Sequence, residues 1–179
     1  MRMSVLGPTV YFSAIFGIID KKRMPPQAAG WRWLIMNESD TIKLLRECDA
    51  GAKMAVTSID EVMEKVSGPG LKQLLQESRE HHEKLENEIH SLLCSYGSQE
   101  KEPAAMAKGM SWIKTNMKMS MDDSDATVAD LITDGCNMGT KSLNRYLNQF
   151  RGADHASREL CGRLISIEEK LCQKMKTYL

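Results

Sequence analysis

The sequence predicts an all-α protein, with four long amphipathic helices in two antiparallel hairpins and a shorter helix in the connection between them. Three observations lead there. Apolar residues recur at alternating spacings of three and four over four separate stretches, the pattern of helices that bury one face. Two tight breaks, Ser67-Gly68-Pro69-Gly70 and Arg151-Gly152, each divide a pair of such stretches, so the members of a pair return antiparallel. Aromatic residues make up 6% of the chain while methionines number 13, a balance that suits helices better than sheets.

A chain of 179 residues is long enough for one domain with a sizeable core. Residues 1–35 have a different texture from the rest. Val5 to Ile19 is an apolar run broken by Gly7-Pro8, Thr9 and Ser13, and Asp20 followed by Lys21-Lys22-Arg23 closes it. It is shorter than the roughly 20 residues of a membrane span, and a signal peptide beginning at Arg2 lacks a clean small-x-small cleavage site. Three readings stay open. Met36 is the true start and the preceding residues come from an over-extended frame, or the segment is a membrane anchor, or it is a disordered or docked extension. Residues 36–179 form the helical bundle.

The first helix is expected to start near Met36, where Asn37, Ser39 and Asp40 offer capping side chains. Its seam is Leu45, Cys48, Ala52, Ala55, Ile59, Val62 and Val66, and the glycine-proline break ends it. The second helix has the seam Leu71, Leu75, Ser78, His82, Leu85, Ile89 and Leu92, flanked by a dense run of glutamates and by His81. Gly97 to Pro103 is a polar break. Ala104 to Met119 reads as the shorter helix, with Met106, Met110, Ile113 and Met117 on one stripe that packs on the bundle.

Asp122, Asp123, Ser124 and Asp125 cap the next helix, whose seam is Val128, Leu131, Gly135, Met138, Ser142 and Tyr146. Gly135, Gly139 and Ser142 allow a neighbouring backbone to come close, at some cost in helix propensity. Gly152 suits the C-cap. Asp154 caps the last helix, which presents Leu160, Leu164, Ile167, Leu171 and Met175.

Composition also bounds function. Acids and bases balance at 24 each, but five bases and a single acid fall in residues 1–35, so the bundle itself is mildly acidic. That argues against a nucleic-acid binder working by phosphate neutralisation. The five cysteines include no Cys-x-x-Cys pair. Cys48 lies on a seam and Cys161 beside one, so buried free thiols in a reducing cytoplasm are expected. The nearest approach to a nucleophile pair is Cys94 with His90, close to a helix end.

Two hairpins joined by a long crossover are the arrangement of a ferritin-like bundle. The arm LLRECDAGAKMAVTSIDEVMEKV, the arm ESREHHEKLENEIH and the paired helices beginning at Asp125 and Asp154 resemble that superfamily, and within it an uncharacterised bacterial ferritin-like family. The resemblance covers Met36 to Leu179 and implies a ferritin-like four-helix bundle. It brings no settled activity, and it makes a metal site the first candidate to test.

Ferritin-like di-iron sites take a Glu from each of two helices and a Glu-x-x-His from each of the others. Residues three apart share a helix face, so the spacing lets both bind one metal. Here Glu77 and His81, and Glu86 and His90, are four apart, and no histidine follows Glu168-Glu169. The full motif is absent. The alternative is a nonstandard site for iron, manganese or zinc. Pairing each hairpin about its turn sets Ala55 opposite His82, Asp49 opposite Glu88, and Asp134 opposite Glu168 or Glu169. The candidate ligands are therefore His82, His81, Glu88, Asp49, Asp134 and Glu168. Against this, an inward histidine in a bundle is more often a hydrogen-bonded core residue than a ligand. The surrounding glutamates read as a solvated face with pairs such as Arg79–Glu83. The function that fits best is a small cytoplasmic bundle without chemistry of its own that acts through partners or as a homo-oligomer. Metal storage, sensing or redox protection around His82 is the alternative.

Overall fold

In a computed structural model of the protein, residues 29–98 and 124–179 are described, with the side chains of the first helix described from Asp40 onward. Four helices fill these stretches: α1 (Ala29–Met63), α2 (Pro69–Ser95), α3 (Asp125–Gln149) and α4 (His155–Met175). Residues 36–179 form one compact unit. The expected short helix at Ala104 to Met119 and the readings of residues 1–28 lie outside the described residues.

Within the unit, α2 packs on α4 and α3 packs on α4, and two layers of core join all four helices. Near the α3–α4 turn, Leu44, Leu45, Cys48 and Ala52 of α1 meet Leu85 and Ile89 of α2, Leu143 of α3, and Cys161 and Leu164 of α4. Near the other end, Ile59, Val62 and Val66 meet Leu71, Leu75, Val128, Ile132, Leu171 and Met175. Each fully buried leucine here contributes about 2–5 kcal/mol relative to alanine.

The seams of α1, α2 and α4 follow the sequence pattern closely. On α2 the buried residues are Leu71, Leu75, Ser78, His82, Leu85, Ile89 and Leu93, differing from expectation only at the last turn. On α3 the phase differs: the buried residues are Val128, Ala129, Ile132, Cys136 and Leu143. The expected stripe Leu131, Gly135, Met138, Ser142 and Tyr146 lies about one residue away, roughly 100° around the helix, and lines a groove between α3 and α1.

Carboxylates crossing between the hairpins hold both turns. Asp125, the first residue of α3, accepts the backbone N–H of Ser67 and of Gly68 in the α1–α2 turn, each at 2.8 Å. Pro69 follows at the start of α2, where a missing N–H costs nothing. At the opposite end Asp40 of α1 accepts the Gly152 N–H of the α3–α4 turn at 3.0 Å, and Thr41 Oγ1 accepts the Asp154 N–H at 2.9 Å.

This corrects the expected start of α1. The helix runs unbroken through Asp40, so the Asp40 side chain serves the other hairpin instead of its own N-terminus. Ser124 and Asp154 do cap α3 and α4, accepting from Thr127 N and Ser157 N. Phe150, not Gly152, occupies the C-cap of α3.

Candidate functional site

His82 interrupts the α2 seam at its centre and is fully buried. Its Nδ1 lies 2.8 Å from the Ser78 carbonyl one turn back, so the Nδ1–H donates there and fixes the ring. Nε2 then points at α4, where Glu168 Oε1 lies 3.4 Å away. That separation brings the charges together without the alignment of a hydrogen bond, and Nε2 has no hydrogen-bond partner. Two acceptors facing each other in a core repel, so the arrangement calls for a cation or a proton between them. Burial opposes protonation of His82, yet the Glu168 carboxylate, together with the Ser78 carbonyl, outweighs it and holds the imidazole above its usual range.

Glu168 is itself 7% exposed. Gly139 makes room for it on α3: a Cβ at that position would stand 3.4 Å from Oε1 and 3.5 Å from Cδ. One turn earlier Cys136 faces the same carboxylate, and burial followed by the Glu168 charge pushes its thiol well up, keeping it protonated. A polar centre of His82, Glu168 and Cys136 thus sits between α2, α4 and α3.

Of the six candidate ligands, the structure brings His82 and Glu168 together and leaves the other four elsewhere. His81 is on the exposed face of α2. Glu88 forms a two-pronged ion pair with Arg163 of α4, at 2.6 and 3.0 Å, which holds its carboxyl below the usual range. Asp49 binds Lys53 Nζ at 2.9 Å on its own helix. It lies near Glu86, whose carboxyl is raised first by burial and, among weaker influences, by Asp49. Asp134 is exposed, and Cys136 and Gly139 of α3 face Glu168 in its place. Among the described residues, no group of three or more His, Cys, Asp or Glu side chains is placed to hold one metal ion.

Cys136 and Gly139 were missed by sequence reasoning. The available signal was a glycine in the stripe Ile132, Cys136, Gly139, Leu143, a gap that a larger side chain from a neighbouring helix must fill.

The second feature is the groove between α1 and α3, a cavity of about 410 Å³. Most of its lining is small or apolar, with Ala50, Gly51, Ala55 and Ile59 from α1 and Leu131, Gly135 and Met138 from α3, while Glu47, Arg145 and Glu168 add charged groups. Met138 is 51% exposed. Tyr146, stacked on Phe150 with ring centroids 6.1 Å apart, lies at one end.

This bundle matches solved structures. Dps92 of Deinococcus radiodurans superposes with a TM-score of 0.64 at 16% identity, over 80% of this chain and 87% of that one. A point mutant of Dps1 from Mycobacterium smegmatis gives 0.66 at 16% identity, over 80% and 97%. The fold is a ferritin-like four-helix bundle. A conserved hypothetical protein of Mycobacterium tuberculosis superposes on the ferritin-like bundle with a TM-score of 0.58 at 14% identity, over 79% and 98% of the two chains. No protein-family model matches the sequence, and no curated protein matches it significantly. At these identities the likeness speaks for the fold. Among the described residues, no helix is long and apolar enough to cross a membrane.

Proposed function

We propose that this ferritin-like bundle works by self-association, the α1–α3 groove of one copy packing against the same groove of a second. The observation that carries the reading is the double apolar character of α3. One stripe fills the core and the other lines the groove, so the helix has an apolar face that the described part of the bundle leaves unpacked. Small residues on both walls allow two copies to approach backbone to backbone, and a groove meeting its own copy forms a closed two-fold contact. The free thiols of all five cysteines fit a cytoplasmic setting.

Gly135 offers a clean test, because a Cβ there would meet nothing. Gly135→Arg and Met138→Asp place charge in the groove without disturbing the fold. Light scattering coupled to size exclusion should give a dimer or larger species for the wild type and a monomer for both variants. A wild type that stays monomeric at about 100 μM, or variants with unchanged mass, would overturn the reading.

A second reading rests on the unpartnered Nε2 of His82 facing Glu168. With Nδ1–H fixed on a backbone carbonyl, the free Nε2 has the orientation of a metal-ligating imidazole, and a metal ion held by His82 and Glu168 would supply the cation their arrangement calls for. Two donors need further ligands from water or a partner to complete the shell of iron, manganese or zinc. Metal analysis of untagged protein decides this. Stoichiometric metal that disappears in His82→Gln supports it, and metal-free protein whose melting temperature ignores added metals sinks it.

A further inference from the structure

Cys94 and His90 stand four residues apart near the C-terminal end of α2, so helix geometry puts them on one face. Cys94 Sγ lies 3.5 Å from His90 Nε2. Cys94 is also the one exposed thiol of the five, since Cys48, Cys136 and Cys161 are buried and Cys172 is half-buried. His90 is half-buried beside it. Neither residue lines the α1–α3 groove, and neither belongs to the buried His82–Glu168 pair.

A thiol and an imidazole are both ligands of zinc, and the distance between them decides whether one ion can take both. A sulfur about 2.3 Å and a nitrogen about 2.0 Å from one zinc ion, at the tetrahedral angle, stand about 3.5 Å apart. Sγ and Nε2 already have that separation, held by the proton they share. A spacing of four on a helix is also the one by which two side chains of one face close on a single ion. The last turns of a helix carry the negative end of its dipole, which favours a cation there. Sulfur with imidazole nitrogen selects zinc over the oxygen-seeking magnesium, calcium and manganese.

We propose that Cys94 and His90 form a surface zinc site on α2. The ion takes Sγ and Nε2 as two ligands, and the thiol proton leaves to solvent as the Zn–S bond forms. Among the described residues no third His, Cys, Asp or Glu is placed to join them, so water fills the remaining positions and the ion stays exchangeable. A site of this kind takes up and releases zinc; it does not brace the fold. The proposal stands apart from self-association and from a metal at His82, because it uses neither the groove nor the buried pair.

The test uses the full chain, untagged, reduced and freed of reductant and metal, with zinc ion as the probe. N-ethylmaleimide alkylation of the native protein is followed cysteine by cysteine by mass spectrometry. Equimolar zinc should slow the alkylation of Cys94 by about tenfold or more and leave Cys172 at its own rate. His90→Ala, a change near the surface that keeps the thiol in place, should abolish the protection. Cobalt(II) should give a thiolate-to-metal charge-transfer band with wild type and none with Cys94→Ala. His82→Gln, folded as judged by circular dichroism, should keep both signals. Cys94 alkylation unmoved by zinc, protection that survives His90→Ala, or equal slowing of Cys172 would overturn the proposal. Loss of protection in folded His82→Gln would assign the ion to the buried pair and overturn it as well.

Discussion

His82 Nε2 and Glu168 Oε1 face each other across the α2–α4 contact at 3.4 Å, inside a core that otherwise holds almost only apolar side chains. The pair decides how the protein should respond to pH. His82 is held above its ordinary value of about 6.5. A raised folded value means that the native state binds the proton more tightly than the unfolded chain does, so the stabilisation is complete below about pH 6.5 and is lost as pH rises through the folded value. Urea unfolding of wild type and Glu168→Gln should therefore show a wild-type advantage near pH 6 that shrinks by pH 8.5. A difference that stays flat over this range contradicts the pairing.

The same pair should be strongly non-additive. Breaking a buried ion pair by removing one partner typically costs about 3–5 kcal/mol, because the survivor keeps its desolvation without its partner. His82→Leu and Glu168→Leu should each cost in that range, while the double leucine variant costs less than the two together by at least about 1 kcal/mol. Independent behaviour in a double-mutant cycle would mean that the two groups do not interact.

Gly68 and Gly135 should respond with opposite sign to the same change. A Cβ on Gly68 runs into the Asp125 carboxylate that holds the α1–α2 turn. Gly68→Ala should displace that carboxylate and expose two turn amides, costing about 1–3 kcal/mol. Gly135 lies within α3 with open space where a Cβ would be, so Gly135→Ala should stabilise by about 0.5–1 kcal/mol through helix propensity alone. Denaturation midpoints moving in the same direction would refute the geometry of one site or the other.

Glu88 should matter little to stability despite its good geometry. It and Arg163 are substantially exposed, with side-chain accessibilities of 38% and 46%. Exposed pairs of this kind contribute at most about 1 kcal/mol and fade with salt. Arg163→Ala should lower stability by less than that, with the loss vanishing in high salt; a larger, salt-insensitive loss would mean that Arg163 has a packing role.

Most of the bundle could be read from the sequence because three of its helices carry a single apolar face. Leu71 through Ile89 could only be buried one way, and His82, falling on that line, had to point inward. Reading α3 in the same manner placed Leu131 and Met138 in the core, where the structure has Ile132 and Cys136. Nothing in periodicity alone separates two neighbouring stripes when both are built from small and apolar residues. That phase difference carried Asp134 out of the candidate site and brought Cys136 and Gly139 into it. The start of α1 was misjudged for another reason. Asp40 has the chemistry of a helix cap, and only the tertiary structure shows that the amide it serves belongs to Gly152, 112 residues away.

Asp40 and Asp125 make each hairpin incomplete without the other. The turn joining α1 to α2 finds its acceptor on α3, and the turn joining α3 to α4 finds its acceptor on α1. Separated halves of the chain would each carry exposed turn amides together with the very carboxylate the opposite half lacks. Recognition between the halves is therefore written at both ends of the bundle as well as along its apolar faces, and it does not depend on the connection that joins them. Two separately produced hairpins have the means to find each other in a single register, with head and tail distinguished.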